Sequence, residues 1–501
     1  MAGIAVIGAG MGAMAAAARL AVAGHRVAVF ERGATYGGAL RRFERDGFAF
    51  DTGPGLLHLP AVYRDLFVKT GREPLESCVE LSQVDPASRH VFADGTAVSL
   101  PNASRAGVVE ALDGALGAGA GERWSAFVNR ARDAWDATRR PLLEEPLRPD
   151  WQVLGRDPYP AVRRRGLFGR GKGPTTATLA EVARRELADP RLVALLESHA
   201  LAYGFDPRSA PASAAVLPYM EQTFGSWYAR GGMRALADAL YERCLARRVE
   251  FTFGAEVTGI VEKDGRAAGV ELADGQVAGA EFVVAGGDPV RLAAMVPGGP
   301  LWGAEDVGPE VRPERAPGRF TVALALRGAR PGDAAHRTVV HGEDRAAELA
   351  AVFGEGAGPR AVCHGPTVTV LRPDDPASRP DDDHEAVTLS ATVAAGGPWD
   401  REAAEAAADR LVERAEAAVP GLRERLLWRE VLPPADDEPV AGPALAGREG
   451  RFLRPANRTR IPGLYAVGGR SHPGGGPAHA GMSGAIVAGL IVNGEDWRGS
   501  A

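Results

Sequence analysis

The tightest constraint on this chain is the junction of an apolar run with a glycine turn. Ile4-Ala5-Val6-Ile7 passes directly into Gly8-Ala9-Gly10-Met11-Gly12-Ala13. A continuous apolar run is the pattern of a parallel strand buried on both faces. The turn itself is G-x-G-x-x-A: Gly8 permits the tight bend, Gly10 lets the backbone approach a pyrophosphate, and Ala13 is small enough for helix–strand packing. The Ala-rich stretch from Met14 to Ala23 reads as a helix with Gly24 as its C-cap, and Arg26 to Phe30 as a second strand ending on Glu31. The helix N-terminus offers N–H donors and a partial positive charge to phosphates. Glu31, about 20 residues past the turn, is placed to accept hydrogen bonds from a ribose. A lone glycine turn would say little in a chain with 64 glycines. Strand, turn, helix, strand and acid in register predict a dinucleotide-binding βαβ unit, against the plainer reading of a βαβ unit with no ligand.

The residues beyond Glu31-Arg32 narrow the ligand. Gly37-Gly38 leads through Ala39-Leu40 to Arg41-Arg42, and then to Asp51-Thr52-Gly53-Pro54. Further on, Trp227-Tyr228-Ala229-Arg230-Gly231-Gly232-Met233 precedes a helix predicted over 235–248. Strands are expected over 250–252 and 255–263, with turns at Asp264-Gly265 and Asp274-Gly275 and a returning strand over 282–285. Near the C-terminus, Gly463-Leu464-Tyr465-Ala466-Val467-Gly468-Gly469 runs into Arg470-Ser471-His472-Pro473-Gly474-Gly475-Gly476 and then Gly481-Met482-Ser483, where a helix is expected to begin.

Taken together, these stretches resemble the bacterial phytoene desaturase (carotenoid desaturase) family within the flavin amine oxidase superfamily. The resemblance runs end to end and is weakest over 90–180 and 300–430. It implies an α/β fold: a discontinuous Rossmann-like FAD-binding domain (1–70, 225–300 and 431–501) and a mixed α+β substrate domain (71–224 and 301–430) with a hydrophobic tunnel. By that resemblance FAD is held by Gly8, Gly10, Met11, Gly12, Ala13, Glu31, Arg32, Gly38, Leu40, Arg41, Gly53, Pro54, Val257, Gly468, Gly469, Gly481, Met482 and Ser483. The family commonly places an Arg just after the glycine pair; here Ala39-Leu40 intervene, leaving the role between Arg41 and Arg42. A helix N-terminus aimed at the flavin's pyrimidine side would stabilise the negative charge of the reduced ring.

The implied activity is desaturation of a C–C pair in a carotenoid or other polyprenoid, with hydride passing to the flavin and a proton leaving the neighbouring carbon. Trp227 and Tyr228 are candidates for the tunnel wall, with ordinary core packing as the alternative. The family's usual Pro before Arg-Gly-Gly is Ala229 here. Its usual Ile/Val-Pro-Gly after the glycine loop is Pro477-Ala478-His479-Ala480, which makes His479 a candidate proton acceptor.

Composition closes other routes. A net charge of −6 argues against a nucleic-acid binder held by bulk electrostatics. The ten histidines show no ligand spacing, so no metal is expected. Three scattered cysteines make no disulfide framework, so a reducing cytoplasmic setting is expected. The chain shows no signal-peptide pattern, and its late apolar run, Ala485 to Val492, is too short to span a bilayer. The basic stretch Arg163–Lys172, with Leu167-Phe168 inside it, is a candidate contact with an anionic membrane surface. Segment 373–383 is Pro/Asp-rich and is expected to be an exposed loop. Competing functions are a carotenoid cis–trans isomerase, a flavin oxidase of another natural product, and a non-enzymatic prenyl-lipid escort of the same fold. An amine oxidase fits less well, because the only lysines are Lys69, Lys172 and Lys263.

Overall fold

The apolar run becomes strand β1 (Gly3–Ile7), which leads through the glycine turn into helix α1 (Met11–Val22) and then strand β2 (Arg26–Glu31). The computed structural model describes residues 1–162, 177–303, 316–354, 363–394, 399–434 and 439–499. Ile4 to Ile7 pair in parallel with Val27 to Phe30 on one side and with Phe282 to Ala285 on the other. Glu250–Phe253 and Leu464–Val467 complete a five-stranded parallel sheet with β1 at its centre. Side chains alternate between its faces with period two. Ile4 and Val6 pack with Met14, Leu20, Ile486 and Val487 of the helices on one face. Ala5, Val283 and Ala285 pack with Val257, Ile260 and Val270 on the other. Those last three belong to a three-stranded antiparallel sheet (Val257–Lys263, Arg266–Leu272, Val277–Gly279) turned at Asp264-Gly265 and Asp274-Gly275, where the sequence places the turns.

The second body of structure is a seven-stranded sheet in the order Leu426–Leu432, Gly318–Arg327, His384–Val393, Val368–Leu371, Arg337–Val340, Ser88–Val91, Ala97–Leu100. One face is apolar: Phe320, Val322, Leu324, Leu389 and Ala391 pack on Ala404, Ala408, Leu411 and Val412 of helix Arg401–Ala415. The opposite face meets Phe48 and Phe50 at one end through Ala323, Ala325 and Ala386. A layer of helices packs around Trp124, Phe127, Leu179 and Leu196. Ser104 and Thr178 cap two of them; Thr178 forms a reciprocal capping box with Glu181.

Three local expectations are corrected. Helix Met233–Ala246 starts two residues early because the Asp51 carboxylate accepts from Met233 N at 2.8 Å and satisfies a free donor of the first turn. Segment 373–383 is not simply an exposed loop. Asp375 is buried, and its Oδ2 accepts from the Tyr228 hydroxyl at 2.8 Å and from Gly231 N at 2.5 Å. The C-terminal helix spans Pro477–Asn493 and does not begin near Met482. Pro477 stands at its first position, where a fixed φ is preorganised and a missing N–H costs nothing.

Candidate active site

The turn after β1 and the turn before the C-terminal helix open onto one cavity of about 920 Å³. Gly8, Gly10, Met11, Gly12, Ala13, Glu31, Arg32, Gly38, Leu40, Arg41, Gly53, Pro54, Val257, Gly468 and Gly469 all border it. Gly8 has φ +82°, a conformation that L side chains rarely adopt. A Cβ on Gly12 would come within 2.8 Å of both the Ala480 carbonyl oxygen and Gly468 Cα, so only glycine lets the N- and C-terminal motifs meet. Gly37 N donates to Ala9 O at 2.8 Å, which lays the Gly37-Gly38 turn against the first glycine turn. The Glu31 carboxylate accepts from Ala9 N and Gly33 N, one bond of 2.7 Å on each oxygen. Each oxygen keeps a lone pair for a vicinal diol. Neither α1 nor the C-terminal helix has a side-chain cap, and Gly10, Gly476 and Pro477 border the cavity. Two helix N-termini with free donors on one cavity suit a ligand with separated anionic parts.

Beyond this cradle the cavity continues along the second sheet. His58, Tyr203, Glu221, Arg319, Thr321, Arg337, Thr369, Ser390 and Thr392 line it, together with Leu432, Pro433, Pro434, Val440 and Ala441. Arg319, Thr321, Thr369, Ser390 and Thr392 share one strand face for a reason of register: Arg319 lies opposite Thr392, and Thr321 and Thr369 opposite Ser390. Glu221 pairs with Arg337 and stands 3.9 Å from His58 Nε2 and 3.7 Å from His199 Nε2. Burial pushes the Glu221 carboxyl up, but Arg337, His199 and His58 together pull it well below the usual range. Burial lowers both imidazoles, against the pull of Glu221. His58 Nδ1 lies 3.4 Å from Gly225 O, and His199 Nδ1 2.9 Å from Leu195 O. A carbonyl only accepts, so each Nδ1 donates and each Nε2 carries the lone pair. Arg319 differs from Arg337: burial lowers it, Tyr203 alone acts against that, and among the described residues its guanidinium has no ion-pair partner. The expected hydrophobic tunnel is therefore lined by polar as well as apolar side chains.

The model of the family described as flavin containing amine oxidoreductase matches residues 14–307. Over nearly its whole length the chain is 30% identical to the hydroxyneurosporene desaturase of Cereibacter sphaeroides, covering 98% of this chain and 97% of the relative. The chain belongs to the flavin-containing amine oxidoreductase family. It is also 28% identical to the 4,4'-diapolycopene oxygenase of Methylomonas sp, over 97% of both chains. The fold resembles that of an oxidoreductase from Methanosarcina mazei, with TM-score 0.62, 16% identity and coverage of 97% of this chain and 99% of that one. FAD is the cofactor of this flavoenzyme, and the cradle fits it: open space above Gly10, two uncapped helix N-termini and a carboxylate poised for a ribose.

Other residues singled out in the sequence lie elsewhere in the flavoenzyme. Gly481, Met482 and Ser483 do not line the cavity, because the helix starts five residues earlier and carries them onto its second turn. Ser483 Oγ instead accepts from Gly468 N at 2.9 Å and so fixes the glycine loop. His479 is buried outside the cavity lining, and burial pushes it down to about 4. The Trp227 indole donates to Phe224 O at 3.0 Å, and neither Trp227 nor Tyr228 lines the cavity. Arg42 does border the cavity, and its guanidinium donates to Gly231 O and pairs with Glu44 at 2.7 Å. The sequence assigns no role to Asp288 or Arg470, which pair at 2.9 Å across the cradle. The Gly286-Gly287-Asp288 turn after a buried strand was the available signal. Arg163–Lys172 lies outside the described residues, apart from which no helix is long and apolar enough to cross a membrane.

Proposed function

We propose that this flavoenzyme desaturates adjacent carbons of a polyene or other polyprenoid chain. One observation carries this: the cavity that begins at the FAD cradle continues without a break into a second compartment walled by the seven-stranded sheet. The printed names of its full-length relatives, a hydroxyneurosporene desaturase and a 4,4'-diapolycopene oxygenase, support the substrate class. Bound FAD supplies the two-electron acceptor that removal of a hydrogen pair needs.

The chain's own residues do the rest. Gly10, Gly12 and the N-terminus of α1 would hold the cofactor's phosphates, Glu31 a ribose, and the glycine loop 468–476 with the N-terminus of the C-terminal helix the ring end. Leu432, Pro433 and Val440 keep water from one side of the substrate. His58 and His199 present neutral Nε2 atoms to the same cavity, and a proton taken up there is stabilised by Glu221 nearby. A weak base suffices, because a carbon next to an electron-poor allylic centre is strongly acidic. We further propose that the division into a discontinuous cofactor domain and a substrate domain is functional, and that Arg163–Lys172 meets an anionic membrane. Flotation with phosphatidylglycerol vesicles but not phosphatidylcholine vesicles is the expected result for that contact.

The deciding experiment is anaerobic. The purified yellow protein is mixed with phytoene, neurosporene or hydroxyneurosporene, and flavin absorbance is followed. Bleaching with a matching gain in polyene conjugation is expected. A cis–trans shift without bleaching would make the protein an isomerase, and FAD binding with no response to any polyene would sink the desaturase reading.

A further inference from the structure

The second compartment holds one charge that the described residues leave uncompensated. Buried arginines elsewhere in the molecule have carboxylates: Arg372 pairs with Glu385 at 2.7 Å, Arg345 with Glu197 at 2.9 Å, Arg243 with Glu73 at 2.7 Å, and Arg337 with Glu221. Arg319 borders the cavity beside Tyr203 and has no such partner among the described residues. Arginine cannot escape burial by losing its proton, so a cavity wall that carries one without a carboxylate suits an anion. Asp436, Asp437 and Glu438 lie outside the described residues.

The surroundings define what kind of anion. The polar groups next to Arg319 in register are the neutral hydroxyls of Thr321, Ser390 and Thr392, the last donating to Leu201 O at 3.0 Å, and Tyr203 stands beside them. One guanidinium among neutral donors balances a single negative charge and not a doubly charged phosphate. Leu432, beside Thr321 in register, borders the same cavity with Pro433, Val440 and Ala441, and these demand apolar length from the same ligand. We propose that Arg319 receives the carboxylate of a polyene acid, so that the enzyme's ligand is an amphipathic monoanion and not a bare hydrocarbon. This rests on the polyene reading of the cavity given above. Arg319 is then a specificity residue: planar, bidentate recognition of a carboxylate is what its fork of N–H donors does best.

The test is binding to the FAD-loaded protein, with retinoic acid and retinol as probes that share one polyene skeleton and differ in the end group. Quenching of tryptophan fluorescence, checked by equilibrium dialysis, gives both dissociation constants. Wild type is expected to favour the acid by roughly tenfold or more, the scale of a hydrogen bond to a charged partner. Arg319→Gln should abolish that preference and leave retinol binding and flavin content unchanged, whereas Arg319→Lys should keep part of it. Equal binding of acid and alcohol by wild type overturns the proposal, as it would if the chain's own acids neutralised Arg319. So does an acid preference that survives in Arg319→Gln. Should that variant fail to fold, the wild-type comparison still decides. If neither probe binds, the polyene reading falls and this proposal with it; if both bind alike, this proposal alone falls.

Discussion

Glu31 shows how much a single side chain contributes before any cofactor arrives. Its oxygens tie Ala9 N and Gly33 N together across the glycine turn, so the acid shapes the turn as well as bordering the cavity. Glu31→Gln turns one acceptor into a donor facing an N–H. We expect it to weaken FAD binding by roughly tenfold or more, measured by titrating apoprotein with FAD. His199 gives a second prediction. His199→Gln removes the basic Nε2 while its amide can still reach Leu195 O. Anaerobic flavin bleaching by substrate should slow by about a hundredfold or more. In wild type that rate should fall as pH drops through the imidazole's pKa, which burial holds below the ordinary 6.5; in the variant this limb should vanish. An unchanged pH profile would remove His199 from the mechanism. Most of the cradle could be read from the sequence because its residues sit at fixed offsets in local motifs. Arg319, Glu221 and His199 could not, since they come from a strand and two helices that only the tertiary fold brings together.

Among the elements, α1 and the C-terminal helix cross at close range. A Cβ on Gly484 would lie 2.5 Å from Gly12 O and 2.7 Å from Ala16 N, both backbone atoms that cannot yield as a side chain does. Gly484→Ala should therefore destabilise the protein by about 1–3 kcal/mol, the cost of overpacking. It should also lower FAD occupancy, because the same crossing holds Gly12 against Gly468. Urea denaturation and the flavin-to-protein absorbance ratio check the two effects; a fully stable, fully loaded variant would show that the helices can part. The βαβ unit was legible because buried apolar runs, glycine turns and a terminal acid are all local signals. The start of the C-terminal helix was not, since Pro477 among glycines reads as loop until the helix it initiates is seen. Asp375 was hidden for a related reason: a Pro/Asp-rich segment looks solvated, and only Tyr228 and Gly231 reveal that one of its acids turns inward.

At the scale of the whole molecule, buried imidazoles should make the protein acid-sensitive. Burial lowers His341 to about 3 and His472 and His479 to about 4. In the unfolded chain each takes a proton near 6.5, so acidification favours unfolding from about pH 6.5 downward. At pH 5 this amounts to about 2 kcal/mol per group. Asp51 and Asp157, raised to about 6 chiefly by burial, act in the opposite sense. They bind protons in the folded state first and return about 1.4 kcal/mol each by pH 5. The net loss between pH 8 and 5 is at least about 3 kcal/mol, with His58, His90 and His199 adding to it in sign. Below the ordinary carboxylate range Glu221, held ionised by Arg337, adds a further loss. Urea midpoints that stay level from pH 8 to 5 would contradict this.

The five-stranded sheet also sets an order of events in time. Its strands come from residues 3–31, 250–286 and 464–467, and the cradle is completed by a helix that ends at Asn493. A ribosome must have passed Asn493 before the first glycine turn can meet its counterpart. Cofactor loading is thus a late event, and the flavin, once seated, fastens the two ends of the polypeptide to each other. Stability added by FAD should then be felt at both termini at once.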